Sequence, residues 1–114
     1  VTAYALGHLH TTSAHPDIAE YLDRIQATLD PHGGRFLVHG APPQVLEGEW
    51  PGVLVLLEFP DAAAARAWYS SPGYRAILPL RTRHLRADVL VVEGVAPGYE
   101  AAHLAAAMRA GAPT

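Results

Sequence analysis

The spacing of apolar residues changes along the chain, and each change predicts an element. From Ala3 to His10 the pattern has a period of two, as in a strand. Tyr4, Leu6, His8 and His10 share one side of it, and Ala3, Ala5, Gly7 and Leu9 the other. Pro16-Asp17 then opens a helix, since proline and an acidic residue both favour the first turn. Ile18, Leu22, Ile25 and Leu29 follow at helical spacing and form one expected buried stripe, which the run DPHGG (30–34) ends. Arg35 to Gly40 reads as a second strand. The stretch APPQVLEGEWPG (41–52) is a long connection, too rich in proline for a tight hairpin. Val53 to Phe59, VLVLLEF, is a third strand, apolar on both faces apart from Glu58. Asp61 caps an alanine-rich helix through Trp68 and Tyr69. The run SSPG breaks that helix, Pro72 restarts it and Pro79 helps to end it. DVLVVEG (88–94) is the last strand, again apolar on both sides, and YEAAHLAAAMRAG after Pro97-Gly98 reads as one more helix.

The order β-α-β-β-α-β predicts an α+β, ferredoxin-like fold: a four-stranded antiparallel sheet, in the order 4-1-3-2, with helices on one face. Two helices cover one face only. Because the third and fourth strands are apolar on both, the other face is expected to be buried as well. Its economical cover is the same face of a second copy in a two-fold homodimer. A chain of 114 residues holds one core. The domain is expected over residues 1–95, with a C-terminal helical extension over 96–114.

Composition then narrows the chemistry. Half of the residues are apolar and 17% are charged, which is globular, and the net charge of −3 disfavours nucleic acid as a partner. There is no apolar run of about 18 residues and no charged start followed by an apolar stretch, so the expectation is a cytoplasmic protein with no membrane partner. No cysteine is present, which removes thiol catalysis and thiolate-held cofactors. All eight basic residues are arginine, so Schiff-base mechanisms are excluded. None of Ser13, Ser70 and Ser71 lies in a nucleophile elbow, and no glycine-rich nucleotide loop occurs. Histidine, carboxylates, tyrosine and arginine remain.

Several blocks resemble one family. HGGRFLVHG (32–40), VLEGEWPG (45–52), LLEFPDAAAARAWYSSPGYRAILPLR (56–81) and VLVVEG (89–94) are similar to the domain of unknown function 1330 family, over about residues 3–95. The resemblance implies membership of the dimeric α/β-barrel superfamily. That superfamily includes cofactor-free oxygenases, isomerases and cyclases of small aromatic or polyketide-like molecules, and also haem enzymes. Family members usually carry arginine where this chain has His39, and the tail after Val95 is an extension. The family has no agreed reaction.

The expected topology gathers polar residues at one end of the sheet. His8, His10, His39, Glu47 and Trp50 should meet there, joined by the distal part of the second helix, Tyr74 to Arg81. The expected site assigns His8 as acid/base, because imidazole titrates near working pH. Arg81 would hold a carboxylate or developing enolate, with Tyr74 or Tyr69 as a further donor. His39, Glu47, Trp50, Tyr69 and His10 are the expected substrate-binding residues. Each has a plainer alternative: His8 as a hydrogen-bonded strand residue, His10 and His39 facing water, Glu47 capping its loop, Arg81 as a structural cation favoured at a helix end, the aromatic rings in the core. Glu58, alone in an apolar strand, should pair with Arg35 on the neighbouring strand. His15, His32, His84 and His103 carry no signal. A strand His-x-His pair needs a third metal ligand, and only His39 or Glu47 come near, so no metal and no cofactor are expected. The reading is a cofactor-independent enzyme for an enolisable or anionic metabolite. The alternative is a non-catalytic, small-molecule-binding or stress-associated dimer.

Overall fold

The structure is a computed structural model, and it describes residues 1–111. Strand β1 (Ala3–Leu9) leads to helix α1 (Pro16–Leu29), a short 3-10 turn (Asp30–His32) and strand β2 (Arg35–His39). Strand β3 (Val53–Phe59), helices α2 (Ala62–Ser70) and α3 (Pro72–Thr82), strand β4 (Ala87–Glu93) and helix α4 (Ala101–Arg109) follow. The sheet runs β2-β3-β1-β4 with every neighbouring pair antiparallel, the expected order read from the other edge. Among these residues no helix is long and apolar enough to cross a membrane.

Local chemistry sets the element ends. His15 caps α1, its Nδ1 accepting the Asp17 N–H at 3.0 Å, and Asp61 Oδ1 caps α2 by accepting from Ala64 N at 2.7 Å. The second helical stretch is two helices rather than one with a flaw. A residue before proline is driven out of the α region, and Ser71, before Pro72, is extended at φ −65°, ψ 147°. That serine ends one helix and starts the next: its hydroxyl donates to Trp68 O at 2.7 Å and accepts from Tyr74 N at 3.2 Å. Pro79, expected near the helix end, lies inside α3, which continues to Thr82. A Cβ on Gly52, at φ +84°, would collide with the Leu9 carbonyl, so only glycine lets β3 begin so close to the end of β1.

The core lies between the sheet and α1–α3. Leu29, Phe59, Ala65, Trp68, Tyr74 and Ile77 are buried there, under the helix-facing Ala3, Ala5 and Leu57. The buried stripe of α1 is Tyr21, Ile25 and Leu29, whereas Leu22, expected in it, is 44% exposed. Both stripes obey helical spacing. The tyrosine wins because its hydroxyl finds a partner inside.

Among the described residues no helix covers the other sheet face. Val38, Leu56, Leu6 and Leu90 form its central row, with Leu90 and Val92 each 49% exposed. At one end of it Arg35 and Glu58 make the expected cross-strand ion pair, with Nε and Nη2 each 2.8 Å from Oε1. Helix α4 is shorter than expected, contains no buried residue and stands apart from the core. The Cα radius of gyration is accordingly 16.5 Å, against about 13 Å for a compact chain of this length.

The packing has a direct test. Ile77→Ala, at a residue 1% exposed, is expected to lower the free energy of unfolding by about 2–5 kcal/mol in urea titration. Leu22→Ala should cost clearly less.

Candidate functional site

Small residues on the inner face of β1 leave a cavity. Ala5 and Gly7 lie opposite α1 and α3, and a space of about 370 Å³ opens between the sheet and those helices, within the range of small-molecule sites. Its wall is mostly apolar, including Ile25, Phe36, Val55 and Trp68. The polar groups are few and come from different parts of the chain: Tyr21 on α1, Tyr74 and Arg81 on α3, His39 on β2, and Thr12 and Ser13 between β1 and α1.

Tyr21 and Tyr74 join hydroxyl to hydroxyl at 2.8 Å. Burial pushes the Tyr21 phenol well above its ordinary pKa, helped by neighbouring Tyr74, so it stays protonated and able to donate. The Arg81 guanidinium carbon lies 5.9 Å from the centre of the Tyr21 ring. Arg81 is 8% exposed, and among the described residues it belongs to no ion pair. Burial works against its charge, but Tyr74 and Tyr21 beside it raise its pKa on balance. The cavity therefore contains a fixed cation with no carboxylate partner.

His39 reaches the same cavity through an irregularity. Phe36 pairs with Leu57, and Val38, two residues on, pairs with Leu56, so Leu37 is an extra residue in β2. In a regular ladder Arg35, Leu37 and His39 would share the open face. The bulge turns His39, opposite Val55, toward the helices, where its ring stacks on Phe36 at 4.3 Å and 15°. One edge of the residue stays open to solvent at the cavity mouth. Burial of the rest holds its pKa below the ordinary 6.5.

The remaining expected site residues are elsewhere, and His8 is the main correction. Ala3 and Ala5 face the helices, so alternation sends Tyr4, Leu6 and His8 to the open face, away from Arg81 and Tyr74. There the His8 ring stacks on Trp50 at 4.1 Å and packs against His10 at 4.0 Å, tilted by 38°. His8 Nε2 donates to Pro51 O at 2.6 Å, and His10 Nε2 to Asp88 Oδ2 at 2.7 Å. Trp50 and His10 thus join His8 rather than the cavity. Glu47 lies on the exposed 40–52 connection next to Leu46, which is 92% exposed. Tyr69 is outside the cavity wall, with Arg75 stacked 4.9 Å from its ring centre. Sequence reasoning missed Tyr21 and Trp68 as cavity residues. The i, i+4, i+8 spacing of Tyr21, Ile25 and Leu29 was the signal for the first.

Two side-chain groups have the composition to hold a metal, His8–His10–Asp88 and His15–Asp17–His84, each with donor atoms within 4.8 Å of one another. In the second, His84 Nε2 donates to Asp17 Oδ2 at 2.9 Å, and the His15 and His84 rings stack at 3.7 Å.

A ferredoxin-like domain with a one-cation cavity between helices and sheet is the class that this arrangement defines. The chain belongs to the family described as Domain of unknown function (DUF1330), whose profile matches residues 2–95. No curated protein matches it. Among solved structures it is similar to a protein of unknown function from Rhodopseudomonas palustris, at TM-score 0.64 and 18% identity over 84% of each chain. A dimeric ferredoxin-like protein of unknown function from Jannaschia sp. CCS1 aligns at TM-score 0.57 and 17% identity, over 82% of this chain and 100% of that one. SnoaB, a cofactor-independent oxygenase from Streptomyces nogalater, aligns at TM-score 0.53 and 14% identity, over 87% and 96%. Identities this low establish the shared fold alone.

His39 supplies the test of this geometry. A histidine whose folded pKa is depressed stabilises the fold fully above 6.5, and that contribution is lost as pH falls from there through the folded midpoint. NMR titration of the imidazole Cε1–H of His39 should give a midpoint below 6.5. A midpoint at or above that value would contradict its place against Phe36.

Proposed function

We propose that this protein is a small-molecule enzyme whose cavity takes an anionic or enolisable, largely apolar metabolite of aromatic or polyketide-like type, without a bound cofactor. Arg81 carries the reading. No carboxylate among the described residues pairs with this buried cation, and a ligand anion arriving in the cavity supplies the counter-charge. The tyrosine hydroxyls add donors beside it, and the apolar wall suits a ring or a reduced carbon chain.

The chemistry follows from the groups available. His39, favoured in its neutral form, accepts a proton from carbon next to a carbonyl. The negative charge that develops on the carbonyl oxygen is stabilised by Arg81 with Tyr74 or Tyr21 donating. Return of the proton at another carbon gives isomerisation, and attack of the enolate on a second carbonyl gives cyclisation. His39 takes the acid/base role that the sequence reading gave to His8, because it lines the cavity and His8 does not. The resemblance in fold to a cofactor-independent oxygenase is consistent with such chemistry.

The open sheet face supports the second part of the proposal, a homodimer. Its central row of Val38, Leu56, Leu6 and Leu90 is more apolar than a face left in water. The same face of a second copy offers an apolar surface of equal extent. Sedimentation velocity at micromolar concentration should show a dimer, and a monomer overturns this part.

The cavity reading is tested with hydroxynaphthoates and β-diketones as probes. Arg81→Met should weaken binding of the anionic probes by roughly 10- to 150-fold, the worth of one charge-assisted hydrogen bond of about 1.5–3 kcal/mol. His39→Ala should reduce turnover of any probe that reacts and leave its binding largely intact. If Arg81→Met folds poorly, Tyr74→Phe removes one hydroxyl and keeps the ring. Unchanged affinity in both variants defeats the proposal.

A further inference from the structure

We propose that His8, His10 and Asp88 bind one divalent transition-metal ion per chain, of the zinc, nickel or copper type. This site lies on the open face, separate from the cavity, and stands or falls independently of the cavity reading above. The first reason is placement by the backbone. His8 and His10 are two apart at the end of β1 and so share a face, and the β1–β4 register puts Asp88 directly opposite His8. Residues 78 positions apart in sequence, His10 and Asp88, are thereby brought together. This is the third ligand that a strand His-x-His pair needs, and it is neither His39 nor Glu47.

The second reason is the state of His8. Its Nε2–H is committed to the Pro51 carbonyl at 2.6 Å, which leaves Nδ1 as the nitrogen with a free lone pair. Metal-binding histidines are held in this way, the distal ring nitrogen donating to a backbone carbonyl or carboxylate. The holder is itself fixed. Pro51 precedes Gly52, whose positive φ and close approach to the Leu9 carbonyl tie the connection to the end of β1. Trp50, stacked on His8 at 22°, restrains rotation of the imidazole.

The third reason is donor chemistry. Two imidazoles and one carboxylate are a nitrogen-rich set that favours zinc, nickel and copper over magnesium or calcium. The His10 Nε2–Asp88 Oδ2 hydrogen bond of 2.7 Å marks where the ion enters. The proton between them is released, and the two atoms separate to about 3.3 Å, as bonds of about 2.0–2.1 Å in a tetrahedron require. The other cluster is a built-in comparison. His15 Nδ1 already accepts the Asp17 N–H as the cap of α1, so the lone pair of that nitrogen is engaged by the backbone.

The test is titration of the tag-free full chain with zinc by calorimetry and with cobalt by visible absorption. One equivalent per chain is expected, with the cobalt bands of a site containing histidine nitrogen. His10→Ala and Asp88→Asn should each weaken zinc binding by more than about 100-fold, beyond the 10–100-fold typical of losing a second-shell partner. Asp88 is exposed at the sheet edge, so its replacement leaves the fold intact even if His10→Ala does not. His84→Ala should leave binding unchanged. Absence of saturable binding overturns the proposal, as does binding that survives Asp88→Asn or disappears with His84→Ala.

Discussion

The alternation of side chains along β1 is the constraint on which the rest of the molecule depends. Alanine at positions 3 and 5 and glycine at 7 face the helices, and such small groups cannot fill the space between sheet and helix. The large aromatic rings of Tyr21, Trp68 and Tyr74 close part of the gap, and the remainder is the cavity. The same alternation sends Leu6 and His8 to the opposite face. One strand thus leaves a cavity on one side, and an apolar row ending in a histidine cluster on the other. A one-residue shift in its register would exchange the two.

The cavity acquires its character from α3. Pro72 forces the chain to restart its helix after Ser71, and that restart sets the direction in which Tyr74, Ile77 and Arg81 point inward, at intervals of three and four. Tyr74 then bonds Tyr21 across to α1, which ties the two helices over the sheet. Arg81 comes last on the same face, buried by this arrangement yet given no carboxylate within it. Structural arginines are usually paired when buried. An unpaired one that faces an open volume is the ground for proposing that the cavity takes an anion.

Much of this was legible in the sequence. Periodicity gave the element order and the sheet topology, and the isolated carboxylate of Glu58 pointed to Arg35. The expected course of the second helix also brought Tyr74 and Arg81 together beside the sheet, and both line the cavity. What escaped depends on single-residue geometry or on distance along the chain. The extra residue at Leu37 leaves no mark in a five-residue strand, yet it decides that His39 faces the cavity. The sidedness of β1 was ambiguous because each side carries a leucine, and the heavier side looks like the core side. Asp88 could join His10 only through the register of β1 with β4.

Helix α4 has no place in the core, and its Leu104 and Met108 are exposed. The proposed chemistry lies instead in the cavity, where Arg81 is the group that would meet an anion. Guanidinium-detected NMR of the wild-type protein, during titration with a hydroxynaphthoate, tests this most directly. The Arg81 Nε–H resonance should shift and saturate together with the resonances of Tyr21 and Tyr74. Saturable binding that leaves Arg81 unshifted, with changes confined to His8, Trp50 and the open face, would contradict it.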